Sequence, residues 1–543
     1  MRAQVAGPAV HGVRQDPAAL VAEGSLVARW QRLWSEEPGR AVLFDGTGGA
    51  GRWVSAGELA ERTAVAADRL RALGLEAGDR VLWSVPTSLA AVVANIGALA
   101  AGMVVVPANP AYTERELGHI VADARPAAAV VTAAGRIGAV AGHLRADLVA
   151  VDADLRSPVR FGAAGGRRPG GEAGAGQAGG AGQAAGAGQA AGAGQAGGAG
   201  SRAGGAGQAA PGPGSAERLA LIGYTSGTTG APKGAMLTHG NLLASAEALR
   251  LAWRWEPEDR LVHALPTFHS HGLCVGLYGT LAAGASAVLL PAFDVGDVLD
   301  AAVSHRATLF FGVPTMYHRL AGGGRARELA ALRLCVSGSA PLDAALHRRL
   351  SGDGVVVLER YGLTETLMNT SNPVEGDRRP GSVGACLPGV DAVVDDDGEV
   401  LVRGPNVGAG YWERPDATAL SRRDGWFRTG DLGACDRDGY LRLLGRAGDL
   451  VISGGFNVYP SEVEQVLVEH PDVAEVAVTG TPSEEWGEVV TAWVVPAGGS
   501  VDEHGLLQWA AARLAPYKRP RLVRIVDALP RTALGKVRRS ELR

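Results

Sequence analysis

At 543 residues the chain is too long for one compact core, so at least two domains are expected. Hydrophobic residues make up 46% and charged residues 20%, as in an ordinary globular protein, and the net charge of -4 comes without any basic block. That balance excludes nucleic acid or an anionic membrane as the main partner.

The N-terminus lacks an apolar stretch of signal-peptide length. No run of about eighteen apolar residues follows it, so no membrane span is expected and the location reads as cytoplasmic. The four cysteines, Cys274, Cys335, Cys386 and Cys435, are far apart and form no CxxC pair. They read as reduced, packed thiols rather than as disulfides or zinc ligands.

Along the chain, short β-branched runs at Val81–Val85, Met103–Val106, Ala128–Val131 and Leu148–Val151 alternate with Ala/Leu-rich stretches of helical spacing such as Ser88–Ala101. This alternation predicts an α/β fold with a largely parallel sheet. From Gly162 to Arg218 no apolar residue larger than proline occurs, and the unit AGAGQA recurs. Such a segment buries too little surface to offset its ordering entropy, and residues 162–218 read as a disordered insert. The α/β texture resumes through Leu363, and strands with turn signals dominate from Ser382 to Leu444. The tail carries two helical stretches, Ser461–His470 and Glu503–Leu514, with strands between them. The expected architecture is a large N-terminal α/β domain with a β-rich subregion, residues 1–445, followed by a small mobile α+β domain, residues 446–543.

The first chemical signal is the string from Tyr224 to Gly234, YTSGTTGAPKG, after the apolar run Leu219–Ile222. Its hydroxyls, glycines and Lys233 suit a loop whose backbone N–H groups wrap phosphate oxygens. The spacing is not GxxxxGK[ST], which disfavours a P-loop NTPase. The string closely resembles the signature loop of the adenylate-forming superfamily, which contains acyl-CoA synthetases, luciferases and peptide-synthetase adenylation domains.

Further matches follow in that family's order, from about Val42 to the end with the insert excepted. Arg360–Thr366 (RYGLTET) resembles the adenine and magnesium motif, and Arg428–Leu432 (RTGDL) the ribose motif. Gly445–Asp449 resembles the hinge, with Gly448 at the usual hinge position, and Ser453–Asn457 the thiol-channel loop. Pro530–Lys536 resembles the catalytic-lysine motif.

The resemblance implies ATP, Mg²⁺ and coenzyme A as co-reactants and a small carboxylic acid as substrate. It implies ATP contacts from Thr225, Ser226, Gly227, Thr228, Thr229, Lys233, Ser339, Ala340, Glu359, Arg360, Tyr361, Gly362, Thr364, Asp431 and Arg446. Catalysis falls to Lys536, Thr364 and Glu365, with Glu365 the metal ligand. Ser453, Gly454, Gly455 and Phe456 line the route for CoA. The physical logic is that a carboxylate must attack the α-phosphorus of an anion, so preorganised cationic groups dominate.

The string RYGLTETLMNTSNP resembles malonyl-CoA synthetases in particular. A diacid needs its second carboxylate neutralised, and an arginine is the natural device. Arg319 is the first candidate and Arg333 the second, with His271 and Ser339 completing a clamp and Met368 lining the pocket. The competing readings are a CoA ligase for another small or aromatic acid, a stand-alone enzyme loading a carrier-protein thiol, and a degenerate nucleotide-binding homologue.

Overall fold

The computed structural model describes residues 3–12, 16–46, 51–132, 148–151, 153–156, 159–161, 215–225, 232–323, 325–453, 456–483, 485–532 and 535–542. Two large sheets dominate. One runs in the order Gly410–Tyr411, Lys233–Thr238, Leu219–Thr225, Val104–Pro107, Arg80–Ser84, Ala128–Val131, Leu148–Val151, Val159–Phe161. Its middle strands are parallel, and the antiparallel strands sit at its two edges.

The second sheet runs Ala385–Cys386, Leu367–Ser371, Val357–Leu363, Leu334–Ser337, Leu309–Gly312, Arg260–His263, Ser286–Leu289, Ala41–Asp45, Arg52–Ser55. It is parallel from Val357–Leu363 through to Ala41–Asp45. Strands buried on both faces explain the continuous apolar runs in the sequence: the Ala128–Val131 and Leu309–Gly312 strands are buried at every residue.

The helix expected over Ser88–Ala101 spans Leu89–Ala100, with the Ser88 hydroxyl accepting from the Ala91 N–H as its N-cap. The β-rich subregion is an antiparallel sheet built from Asp391–Val394, Glu399–Arg403, Trp426–Cys435 and Leu441–Arg446, with short edge strands. The tail forms a five-stranded sheet with helices Pro460–Leu467 and Glu503–Ala511, packed around its own apolar core of Val451, Val463, Val478, Val494 and Leu506. An α/β body with a β-rich subregion and a small C-terminal α+β unit is thus the observed fold.

Residues 162–214 lie outside the described residues, but the C-terminal end of the expected insert does not behave as disordered chain. The Gly240 N–H donates to the Ala216 carbonyl and the His239 N–H to that of Arg218. The Arg218 guanidinium donates to the Gly102 carbonyl at 3.0 Å. Composition alone extends the insert through Arg218, because these short anchors carry no apolar side chain to announce them. Cys274, Cys335, Cys386 and Cys435 are all free thiols, and the first three are buried. Among the described residues no helix is long and apolar enough to cross a membrane.

Candidate functional site

The site is organised by one strand, Val357–Leu363, and the turn that follows it. Consecutive residues of a strand point to opposite faces, so Arg360 and Tyr361 serve two different chemistries. The Tyr361 hydroxyl donates to Asp431 Oδ2 at 2.6 Å. Arg446 Nε meets Asp431 Oδ1 at 2.8 Å, and Arg446 also donates to the Thr429 carbonyl. The antiparallel pairing of Asp431 with Arg446 holds both in register. Burial raises the Asp431 carboxyl above its ordinary value, opposed by Arg446, the Tyr361 hydroxyl and, at longer range, Lys536.

Arg360 turns the other way. It is 5% exposed, and its Nε and Nη2 have no hydrogen-bond partner. Burial without a counter-charge pushes its guanidinium down to about 9, which leaves it protonated at neutral pH. The guanidinium packs against Gly338: a Cβ at that position would lie 2.3 Å from Arg360 Cζ. A side chain at that position would displace the guanidinium, by close approach rather than by backbone angle.

Around this cation stand neutral imidazoles. His269 is lowered to about 4, by burial first and by Arg360 second. His271 is lowered further for the same two reasons, with His269 and His263 adding to the effect, and its Nε2 is unpartnered. His271 Nδ1 lies 3.4 Å from the hydroxyl of Ser339. Ser339 sits at φ 71°, a left-handed conformation that a serine holds only where surrounding structure demands it.

Thr364 and Glu365 occupy the turn between the strands Val357–Leu363 and Leu367–Ser371. The Tyr411 hydroxyl donates to Glu365 Oε1 at 2.9 Å, and the Lys233 ammonium lies over the Tyr411 ring at 5.5 Å from its centroid. The Thr364 methyl packs against Gly223, where a Cβ would meet it at 2.5 Å. Met368 is buried beside Gly362. Ala340 is half-buried in the loop after Ser339, and Thr225 and Lys233 face each other across the two strands that flank the phosphate-loop string. Ser226, Gly227, Thr228, Thr229, Gly454 and Gly455 lie outside the described residues.

Several expected residues are committed elsewhere. Both carboxyl oxygens of Glu359 accept backbone N–H groups, from Leu342 at 3.1 Å and Gly381 at 2.9 Å, so its side chain ties two loops together. Arg319 is exposed and stacked over the Phe293 ring at 5.0 Å. Arg333 pairs with Asp259 and donates to the carbonyls of Trp253 and Arg254. Neither arginine presents a free cation at the buried imidazoles. The group that does is Arg360, which the motif resemblance had directed toward the nucleotide.

From the C-terminal unit, Lys536 reaches the same region. Its loop seats against Thr315, 3.2 Å from where a Gly535 Cβ would lie. Lys536 keeps part of its surface open, yet its ammonium is lowered by loss of surrounding water first and by Arg446 second, against the pull of Asp431 and Asp449. Ser453 is buried, and exposed Phe456 stacks on Tyr517 with ring centroids 4.8 Å apart.

Residues 30–412 match the AMP-binding enzyme family, and residues 462–536 match the AMP-binding enzyme C-terminal domain. The chain belongs to this family. Feruloyl-CoA synthase of an Amycolatopsis species is 36% identical over 504 residues, covering 90% of this chain and 92% of that one. Malonate–CoA ligase of Arabidopsis thaliana is 39% identical over 365 residues, 60% of each chain. The crystal structure of ATP-bound MatB from Rhodopseudomonas palustris aligns with a TM-score of 0.80 at 39% identity, covering 95% of this chain and 98% of that one. The protein is accordingly an AMP-forming acid–thiol ligase that uses ATP, Mg²⁺ and coenzyme A.

A magnesium ion fits the donor set as a substrate-borne ion. Among the described residues no three His, Cys, Asp or Glu side chains cluster as a metal site. Glu365 has one oxygen held by Tyr411 and the other without a protein partner among the described residues. Mg²⁺ commonly takes one or two carboxylates plus substrate phosphates, and Glu365 would supply that carboxylate.

Sequence reasoning passed over Tyr411, whose only signal was an aromatic in a Gly-Tyr-Trp string. Replacing Asp431 by alanine strips the acceptor from both Tyr361 and Arg446. Loss of a hydrogen bond to a charged group costs about 1.5–3 kcal/mol, so KM for ATP is expected to rise by roughly 10- to 100-fold. Steady-state kinetics with ATP and acid varied separately check it; the KM for the acid should stay nearly unchanged.

Proposed function

We propose that the chain activates a small dicarboxylic acid, malonate or methylmalonate, as its acyl-adenylate and passes the acyl group to coenzyme A. The observation that carries this reading is the buried, unpartnered guanidinium of Arg360 beside neutral His269 and His271. A buried charge without a partner costs several kcal/mol, so an anionic group bound there is strongly favoured over an apolar tail. A guanidinium with two free donors matches the two oxygens of a distal carboxylate. The malonate–CoA ligase among the relatives and the closely aligned MatB agree with this choice; the feruloyl-CoA synthase stands for the competing aromatic acid.

In the first half-reaction a carboxylate oxygen of the substrate forms a bond to the α-phosphorus of ATP as the bond to the pyrophosphate oxygen breaks. Lys536 bridges the reacting carboxylate and the α-phosphate, reducing repulsion between two anions. Thr364 donates to an α-phosphate oxygen, and Asp431 accepts from the ribose hydroxyls while Arg446 and Tyr361 hold it in place. Glu365 would hold Mg²⁺, which when bound would supply positive charge to offset that of the departing pyrophosphate. In the second half-reaction the CoA sulfur attacks the acyl carbon and AMP leaves. Ser453 and Phe456 then flank the thiol's approach, after the unit beyond residue 445 has turned about the hinge at Gly448. The Arg360 clamp acts in both steps by holding the distal carboxylate while the other end reacts.

Pyrophosphate release with ATP, Mg²⁺ and CoA is expected to be far faster with malonate or methylmalonate than with acetate, butyrate or 4-coumarate. A preference for a monoacid would remove the dicarboxylate assignment and leave the ligase intact. The pH dependence provides a second check. Lys536 must be protonated to act, and its lowered value means that it loses its proton earlier on the alkaline side than a free lysine does. Pyrophosphate release should therefore fall as pH rises through a value below that of free lysine. Thioester formation from pre-made acyl-adenylate should not share that limb, and the limb should vanish from the residual activity of Lys536→Ala.

A further inference from the structure

The helix Glu114–Ala124 is capped at its start by the reciprocal Thr113–Glu116 pair and carries His119 and Asp123 four residues apart, hence on one face. That face meets both stems of the phosphate-loop hairpin. On the incoming strand, Tyr224 donates its hydroxyl to Asp123 Oδ2 at 2.7 Å. On the outgoing side, His119 Nε2 lies 2.9 Å from the carbonyl of Pro232; a carbonyl only accepts, so this nitrogen carries the proton. The His119 and Tyr224 rings also meet edge to face at 6.4 Å.

Asp123 is a buried carboxylate, with 6% of its side chain exposed, and its other oxygen is held by Arg414. The Trp412 indole N–H donates to the Asp123 carbonyl at 3.2 Å, and the Trp412 backbone N–H to that of Gly234. Trp412 and Arg414 follow directly on Tyr411, the residue that holds Glu365 and lies beneath Lys233. A single carboxylate thus joins the helix, one stem of the hairpin and the segment that orients Glu365 and Lys233.

We infer that Asp123, Tyr224 and His119 are positioning residues for the triphosphate: they hold the strand ends at Thr225 and Lys233 at the spacing that lets Lys233 and Glu365 engage the departing pyrophosphate. None of the three touches substrate. The inference rests on reading Thr225–Lys233 as the phosphate loop and not on which acid is used. Because the β- and γ-phosphates leave in the first half-reaction, the anchors matter there and not afterwards. A merely structural role would weaken both halves alike.

The test uses the full chain with whichever acid it activates fastest and compares Tyr224→Phe, Asp123→Asn, His119→Phe, His119→Gln and Lys233→Ala. Tyr224→Phe, Asp123→Asn and His119→Phe should raise KM for ATP by about tenfold, the scale of one lost hydrogen bond to a charged or buried group. The KM for the acid and the rate of thioester formation from pre-made acyl-adenylate should stay close to wild type. His119→Gln, which keeps an N–H for the Pro232 carbonyl, should restore most of the ATP affinity. A raised KM for ATP in Lys233→Ala with no change in Tyr224→Phe and Asp123→Asn would overturn the anchoring role. No change even in Lys233→Ala would overturn the phosphate-loop reading, and the anchors with it. Equal loss of both half-reactions in the anchor variants would reduce them to general structural support.

Discussion

The buried guanidinium of Arg360 is the constraint around which the site is arranged. A buried cation with two nitrogens that have no protein partner is an electrostatic deficit, which a bound anion would offset. Its neighbours are fitted to that purpose: Gly338 gives up a side chain so that the guanidinium can lie against the backbone, and the imidazoles of His269 and His271 stay neutral rather than adding charge. Ser339, held in a left-handed conformation, brings its hydroxyl toward His271.

The pleat of the same strand sends Tyr361 to the opposite face. There the Tyr361–Asp431–Arg446 chain forms a second polar unit, and Lys536 enters its field from the C-terminal unit. On the proposed reading one strand divides two anionic ligands between its faces, and the turn at its end carries Thr364 and Glu365. Loss of surrounding water, and after it Arg446, lowers the Lys536 ammonium, while Asp431 and Asp449 pull the other way.

The fold class was legible because strand and helix signals alternate so regularly: Ala128–Val131 and Leu148–Val151 are strands to the residue, and the helical stretch read over Ser88–Ala101 is a helix over Leu89–Ala100. The family motifs that imply nucleotide residues were legible as local strings. The burial of Arg360 without a partner, on which the proposed acid clamp rests, was not, because nothing in the sequence distinguishes a buried arginine from an exposed one. Arg319 and Arg333 sat near likely-looking turns, yet one lies over Phe293 at the surface and the other is consumed by Asp259. The decisive facts about Arg360, its burial and its lack of a partner, arise from strands distant in sequence. Asp123 and Tyr411 escaped for the same reason, since their partners stand 101 and 46 residues away.

The central claim is that the Arg360 charge selects the acid. Arg360→Met keeps most of the side chain's length and apolar volume and removes only the cation. The most direct measurement is kcat/KM of this variant and of the wild type for malonate and for butyrate, with KM for ATP followed in parallel. Loss of one charged clamp, worth about 1.5–3 kcal/mol or more when desolvated, should lower the malonate value by roughly 10- to 100-fold or beyond, while butyrate holds or improves. An equal fall with both acids, or a change confined to ATP, would contradict the account and return Arg360 to the nucleotide.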